Sequence, residues 1–106
     1  MPSVSQVRPK IWADVLDLYD DGDFSAIWGN REQSKRRELG VRWNGNDGYV
    51  GYPNQGSNPV WFSQPDFLER SILLSLLDKL TSNSSMPRQA EFIENILTAL
   101  QECLKQ

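Results

Sequence analysis

The sequence predicts an α+β domain in which an antiparallel meander sheet of three to four strands is followed by two C-terminal helices that pack on it as a second layer. The chain has 106 residues, the usual size of one domain. Ten of its eleven aromatic residues lie at or before Phe67, and all seven glycines lie at or before Gly56, whereas nine of its twelve leucines lie beyond Phe67. Aromatic and glycine-rich sequence is typical of short strands, and leucine-rich sequence without glycine is typical of helices. Residues 1–106 are therefore predicted to form a single domain, with residues 1–10 as a loosely ordered N-terminus.

The first two strands are predicted over residues 12–20 and 23–29, joined as a hairpin by Asp21-Gly22. Glycine tolerates the positive φ that a tight hairpin turn requires. Cross-strand pairs of aromatic and branched side chains on one face would stabilise this hairpin. The expected pairs are Tyr19 with Phe24 and Val15 with Trp28.

A helix over the first of these segments is the alternative interpretation, because its apolar residues also follow a helical stripe. Asp20 and Asp21 would then lie at the carboxyl end of that helix, where the macrodipole disfavours negative charge. The hairpin is therefore the preferred interpretation.

The rest of the sheet is predicted between residues 39 and 62. A third strand covers residues 39–43, where leucine, valine and tryptophan alternate onto one face. It ends at Asn-Gly-Asn-Asp-Gly, residues 44–48, the densest turn signal in the chain. Residues 49–52 follow, and residues 59–62 close the sheet after a loop, with the leading proline typical of an edge or strand-start position.

Two helices are predicted after residue 65. Residues 63–66, Ser-Gln-Pro-Asp, provide a capping serine, a first-turn proline and an acidic residue three positions after the cap. The first helix, residues 67–80, has apolar residues around most of its circumference and must be covered on two sides. The final helix, residues 87–104, has a continuous apolar stripe. The stripe consists of Ile93, Ile96, Leu97, Leu100 and Leu104.

Charge and composition argue against several classes of protein. The net charge is −3 and the sequence pI is about 4.8, whereas a general nucleic-acid binder needs excess Lys and Arg to neutralise phosphates. No apolar run approaches the roughly 20 residues of a membrane-spanning helix. Residues 1–5 lack the features of a secretory signal, and Cys103 is the only cysteine, so no internal disulfide can form. These observations predict a soluble, cytoplasmic protein.

The residue types that most catalytic and metal sites require are scarce. The chain has no histidine, and Cys103 falls on the apolar side of the last predicted helix, as an inert buried thiol would. Zinc sites built from Cys and His are excluded by count, and no phosphate-binding glycine loop is present. The aspartates of residues 14–23 fail the calcium-loop pattern, because Tyr19 and Trp28 stand at ligand positions. We therefore predict no catalytic residue, no metal site and no cofactor, and a protein that is not an enzyme.

Residues 31–37 contain the main concentration of positive charge. Its four cations are a candidate contact for a phosphate backbone. Two glutamates flank them and the chain is acidic, so a solvated connection between strands is the favoured interpretation. The candidate nucleic-acid residues are Arg31, Lys35, Arg36 and Arg37.

A candidate ligand-binding surface is predicted between residues 42 and 61. Strand ends and two loops bring an arginine, amides and aromatic faces together, which is the combination that small-ligand and peptide sites use. The alternative is that the tryptophans belong to the core of the sheet and the Asn and Gly residues to its turns. The candidate ligand-binding residues are Arg42, Trp43, Asn44, Tyr49, Tyr52, Gln55 and Trp61.

Two short motifs occur in this region, Arg-Trp-Asn-Gly at residues 42–45 and Asn-Pro-Val-Trp-Phe at residues 58–62. In this order the motifs resemble those of small, uncharacterised bacterial proteins carried on mobile, integron-type gene cassettes. The resemblance covers residues 14–67. It implies a compact unit of sheet and helix, and it implies no activity or catalytic residue.

The leading functional prediction is a small non-enzymatic interaction or binding module. Homodimerisation, or binding to another protein, is expected through the apolar surface of helix 67–80, because so short a chain cannot cover its whole circumference. One alternative is a small-molecule-binding sensor that uses the surface of residues 42–61. A second alternative is a nucleic-acid adapter that uses residues 31–37.

Overall fold

A computed structural model describes residues 3–32, 34–82 and 85–104 of the chain. The strands are β1 (Trp12–Asp20), β2 (Phe24–Arg31), β3 (Glu38–Trp43), β4 (Asn54–Gln55), β5 (Asn58–Pro59) and β6 (Phe62–Ser63). The helices are α1 (Asp66–Ser82) and α2 (Gln89–Leu104). The main sheet is antiparallel with the strand order β1-β2-β3-β6, and β4 and β5 form a separate small hairpin. The predicted α+β class, an antiparallel sheet followed by two C-terminal helices, is confirmed.

One face of the sheet packs against the two helices. Trp28 and Leu39 are cross-strand partners on this face, and both are fully buried. The indole N–H of Trp28 donates a hydrogen bond to Glu102 of α2 at 2.7 Å, and the backbone N–H of Leu39 lies 3.4 Å from a carboxylate oxygen of Glu69 in α1. The helices therefore contact the sheet through the carboxylates of Glu69 and Glu102 as well as through apolar side chains.

The N-terminal segment covers the opposite face of the sheet. It begins with a single 3₁₀ turn, Val4–Gln6, and buries the side chains of Val4 and Val7. The indole N–H of Trp61 donates to the carbonyl of Val7 at 2.9 Å. Residues 3–10, which the sequence analysis expected to be loosely ordered, thus place two buried valines on a sheet face that the helices leave open.

The carboxylate of Asp17 joins the N-terminal segment to β1 and to the start of α2. It accepts hydrogen bonds from the Ser5 hydroxyl at 2.7 Å, from Arg88 at 2.9 Å and from Arg8. Burial raises the pKa of Asp17, but the hydrogen bonds from Ser5, Arg88 and Arg8 outweigh burial, so the pKa lies below its ordinary value. Asp17 is thus held as an ionised, almost fully buried anchor.

The first hairpin forms as predicted, and Trp12–Asp20 is a strand rather than a helix, but its predicted register is wrong. β1 contains two irregularities, and Asp14 within the first of them has a φ of 54°. A β-bulge of this kind places an extra residue in one strand and shifts every later pair. The observed pairs are Tyr19 with Ala26 and Leu16 with Trp28, in place of Tyr19 with Phe24 and Val15 with Trp28.

The end of the sheet differs from the prediction. The strand expected over residues 59–62 is divided, because Pro59 pairs with Asn54 in the small hairpin while Phe62 pairs with Val41 of β3. Proline has no N–H to donate to a continuous ladder, so the segment breaks after it. α1 begins one residue before the predicted start and extends to Ser82, and α2 begins two residues after its predicted start.

Candidate functional site

Arg42 was predicted to lie on a binding surface, but its side chain is buried with 1% exposure. Its guanidinium donates hydrogen bonds to the backbone carbonyls of Val60 at 3.0 Å, Pro53 at 3.3 Å and Val50. Burial lowers the pKa of Arg42, and its acceptors in the described chain are neutral carbonyls. Gly51 has a φ of 88°, and a Cβ atom there would lie 2.6 Å from the Arg42 Nη2 atom. Arg42 therefore holds the loop of residues 50–60 against β3.

Asn44 and Trp61 are also interior residues, with 1% and 6% exposure. The side chain of Asn44 accepts a hydrogen bond from the Ser25 hydroxyl at 2.7 Å and donates one to Asp20 at 3.1 Å. Trp61 is held by its hydrogen bond to Val7. Three of the seven candidate ligand-binding residues therefore use their polar groups in hydrogen bonds within the fold. These residues are Arg42, Asn44 and Trp61.

Trp43 and Tyr49 are exposed, by 58% and 49%. The Trp43 ring packs edge-on against Phe24, with ring centroids 4.9 Å apart. Trp43 lines a shallow groove beside α1, whose other wall includes Leu76 and Lys79. Trp43 therefore lies against the helix layer, whereas the sequence grouped it with residues of the 50–61 loop.

Tyr52, Gln55 and Trp61 do come together, in a cleft of about 490 Å³ between the N-terminal segment and the loop after β3. We call it the Tyr52 cleft. Three of its large apolar side chains are exposed: Ile11 by 47%, Tyr52 by 58% and Phe62 by 55%. Its full lining is Pro9, Ile11, Trp12, Arg31, Tyr52, Pro53, Gln55, Val60, Trp61, Phe62 and Ser63.

Sequence reasoning missed Ile11 and Phe62 as members of this cleft. A signal for Phe62 was present, because neighbouring side chains in an extended segment point to opposite sides. If the tryptophans belong to the core of the sheet, which was the alternative interpretation of the sequence and holds for Trp61, Phe62 points outward. Ile11 carried no comparable signal, because it precedes the first strand and its position depends on how the N-terminal segment packs.

Arg31 is the charged residue in the lining of the Tyr52 cleft. Its Nε atom donates to Glu38 at 2.9 Å, and a second guanidinium nitrogen lies 3.6 Å from Glu32. The hydrogen bond to Glu38 raises the pKa of Arg31. Because two carboxylates neutralise this cation, the cleft suits an uncharged apolar ligand better than an anion.

The other arginines of residues 31–37 are also paired with carboxylates. Arg36 pairs with the fully buried Glu69 of α1, and its guanidinium lies 5.7 Å from the ring centre of Trp28. Arg37 pairs with Glu102 of α2, which raises the pKa of Arg37. Lys35 is exposed. The basic run therefore fastens the β2–β3 connection to both helices, and this arrangement does not favour a phosphate-binding surface.

The two helices run antiparallel and side by side. The side-chain amide of Gln89, at the start of α2, donates to the carbonyl of Leu80 near the end of α1. At the other end of the pair, Phe67 and Cys103 line the same small pocket. Cys103 was predicted to be a buried thiol and is half-buried, and burial raises its pKa. This alignment fixes which residues of the two helices are neighbours.

Four large apolar side chains lie on the side of the helix pair that faces away from the sheet. Phe67 and Leu74 are seven residues apart on α1, and Leu97 and Leu104 are seven residues apart on α2, so each pair lies on one side of its helix. Phe67 is 78% exposed, Leu74 46%, Leu97 47% and Leu104 65%. The antiparallel alignment places Phe67 near Leu104 and Leu74 near Leu97. We call these four residues the outer helix face.

The predicted apolar stripe of the last helix is only partly buried. Ile96 is fully buried, whereas Leu97 and Leu104 are exposed. Phe92 and Ala99 occupy the other buried positions of α2. The buried side of α2 is rotated relative to the predicted stripe because the helix contacts both β1 and α1.

Comparisons with protein-family models, with curated proteins and with solved structures returned no match. Within the ranges that the structure describes, no group of three or more acidic, cysteine or histidine side chains is placed to hold a metal ion. Neither described helix has the length and apolar character that a membrane crossing demands. The functional argument therefore rests on the two apolar surfaces, the outer helix face and the Tyr52 cleft.

Proposed function

We propose that this protein is a small, non-enzymatic interaction module that forms a homodimer through the outer helix face. The observation that carries the proposal is the grouping of four exposed large apolar side chains on two adjacent helices. Single exposed hydrophobic residues are normal on protein surfaces, whereas contiguous apolar patches mark interaction sites.

The position of these residues supports a protein partner in preference to a small ligand. The outer helix face lies on the exposed surface of two neighbouring helices, and helix faces of this kind pack against other helices. Phe67 is 78% exposed in the first turn of α1, so most of its apolar surface is available for burial. Removing apolar surface from water contributes about 25 cal/mol for each Å² buried. A homodimer doubles the contribution of each residue, because an isologous interface uses the same patch twice.

Replacing Phe67 by glutamate is expected to raise the dissociation constant of the homodimer by at least about tenfold, because a charged group would replace a large apolar side chain at each of the two symmetry-related positions. Sedimentation equilibrium over a range of concentrations measures this constant. Phe62→Glu is the matched control, since Phe62 is also an exposed aromatic residue but lies in the Tyr52 cleft, and this variant should dimerise like the unaltered protein. A protein that stays monomeric up to about 100 micromolar would refute the homodimer.

A second candidate function is binding of a small, uncharged apolar molecule in the Tyr52 cleft. The observation that favours it is the convergence of Ile11, Tyr52 and Phe62 on a cleft of about 490 Å³. Ligand sites of this size are lined mainly by apolar and aromatic side chains with a few polar groups. Gln55 and the neutralised Arg31 provide those polar groups.

A ligand of the Tyr52 cleft is expected to raise the thermal midpoint of the unaltered protein by about 2 °C or more in a screen of neutral aromatic and aliphatic compounds. Phe62→Glu should abolish the shift because it places a charge in the wall of the cleft, whereas Phe67→Glu should retain it. A screen without stabilising compounds, or a shift that Phe62→Glu leaves unchanged, would exclude the cleft as the site.

A further inference from the structure

α1 carries two opposite charges at equal distances from the centre of its exposed side. Arg70 lies four residues before Leu74, and Asp78 lies four residues after it. All three side chains are exposed. Residues four apart form one row along a helix, so Arg70, Leu74 and Asp78 form a single ridge with an apolar centre and charged ends.

Neither charged side chain forms an ion pair or a side-chain hydrogen bond within the described part of the chain. The other arginines there donate to carboxylates or carbonyls, whereas Arg70 forms no ion pair or side-chain hydrogen bond with a described residue. Asp78 also has no ion pair within the described ranges. The paired arginines are Arg8, Arg31, Arg36, Arg37, Arg42 and Arg88.

We infer that the second copy docks antiparallel along α1, about a two-fold axis that passes between the two Leu74 side chains, with Arg70 of each copy facing Asp78 of the partner subunit. This inference rests on the homodimer proposed above and specifies its geometry. About such an axis, each residue at position 74 + n faces position 74 − n of the other copy. Leu74 therefore meets its own equivalent, and two identical ion pairs form.

The charge order disfavours the parallel arrangement of the same two ridges. In a parallel pairing, Arg70 would face Arg70 and Asp78 would face Asp78, so that both contacts would be repulsive. In the antiparallel pairing both are attractive. Each charge lies about 6 Å along the helix axis from Leu74, within reach of the apolar centre of the contact. Because exposed ion pairs contribute little affinity, their effect here is on register and orientation, while the outer helix face supplies the affinity.

The test uses two charge reversals, Arg70→Asp and Asp78→Arg, alone and together. Each single reversal places like charges at both symmetry-related contacts, so we expect the dissociation constant to rise about tenfold at low salt. The double variant exchanges the two charges and should return to within about threefold of the unaltered protein. Lys35→Asp is the control, because it makes the same change in net charge as Arg70→Asp at an exposed residue away from the ridge.

Mixing the two single variants tests the geometry without the double variant. The aspartate introduced at position 70 of one chain would face the arginine introduced at position 78 of the other, and the two unaltered residues would also face each other. An equimolar mixture should therefore form heterodimers with nearly the affinity of the unaltered homodimer, measurable by sedimentation or by energy transfer between labelled chains.

The outcomes separate this inference from the proposed function. If the unaltered protein dimerises and Phe67→Glu disrupts the dimer, but neither the double variant nor the mixture restores affinity, the two-fold axis between the two Leu74 side chains is refuted and the homodimer stands. If the unaltered protein is monomeric, both are refuted. Circular dichroism of each variant establishes that it retains the helical fold before its affinity is compared.

Discussion

Arg42→Ala is expected to lower the free energy of unfolding by about 3 kcal/mol, because the backbone carbonyls of Val50 and Val60 would lose their donor. The carbonyl of Pro53 would also lose its hydrogen bond from Arg42, but it would keep the backbone N–H of Val60 as a donor at 3.1 Å. Each unsatisfied buried polar group costs about 1–3 kcal/mol, and the truncated side chain also leaves a cavity. Relief of the desolvation of a buried cation offsets part of this loss. Urea denaturation measures the change.

Two further variants serve as controls for Arg42→Ala. Lys35→Ala should change the free energy of unfolding by no more than about 0.5 kcal/mol, because Lys35 is exposed. Arg42→Lys should recover only part of the stability, because an ammonium group cannot reproduce the planar fork of donors that reaches several carbonyls at once. A loss below about 1 kcal/mol in Arg42→Ala would mean that the side chain does not support the loop.

Arg36→Met is expected to be comparably destabilising, by about 3 kcal/mol, because it leaves a buried carboxylate without its counterion. The side chain of Glu69 is 1% exposed, whereas that of Arg36 is 31% exposed. The two partners of this ion pair therefore differ in burial, and removing one or the other is expected to lower the free energy of unfolding by different amounts. In Glu69→Met the remaining guanidinium can still reach water, so we expect a smaller loss of about 1 kcal/mol.

The double variant Arg36→Met with Glu69→Met completes the comparison. Replacing both members of a buried ion pair by apolar side chains is often neutral or stabilising, so the double variant should unfold with nearly the free energy of the unaltered protein. Urea denaturation of all four proteins gives the coupling between the two positions. Additive losses in the double variant would show that the two side chains stabilise the fold independently.

The kinds of elements and their order followed from local sequence. Three local signals correspond to features of the structure. A strand ends at the hairpin dipeptide Asp21-Gly22, a turn lies in residues 44–48, and two helices contain the leucines after Phe67. Backbone preference and apolar periodicity are local properties, so a single sequence is enough to read them.

The register of the first hairpin did not follow from local sequence. Two irregularities in β1 move Tyr19 opposite Ala26, and neither has a dipeptide signature like that of the turn. A one-residue shift exchanges the two faces of a strand, so the choice depends on what packs on each face. Here Asp17 must face the N-terminal segment, where Arg8 neutralises it together with Arg88 from the start of α2.

The candidate site was the least predictable part of the protein. Arg42 and Trp43 are neighbours in a motif, yet one is buried beneath a loop and the other is exposed beside α1. The Tyr52 cleft joins Ile11 to Phe62, residues that are far apart in the chain. Binding surfaces form where segments distant in sequence come into contact, and the periodicity within one segment does not indicate which other segments it will contact.

From composition and pattern alone, this chain is recognisable as an aromatic sheet followed by leucine-rich helices, because secondary structure responds to neighbours within about one or two helical turns. Three-dimensional packing selects which polar groups are buried and which apolar groups remain exposed. A charged side chain such as Arg42 or Glu69 can be buried only where acceptors or counterions from distant segments surround it. Phe67 and Leu104 stay exposed because the sheet covers the other sides of their helices.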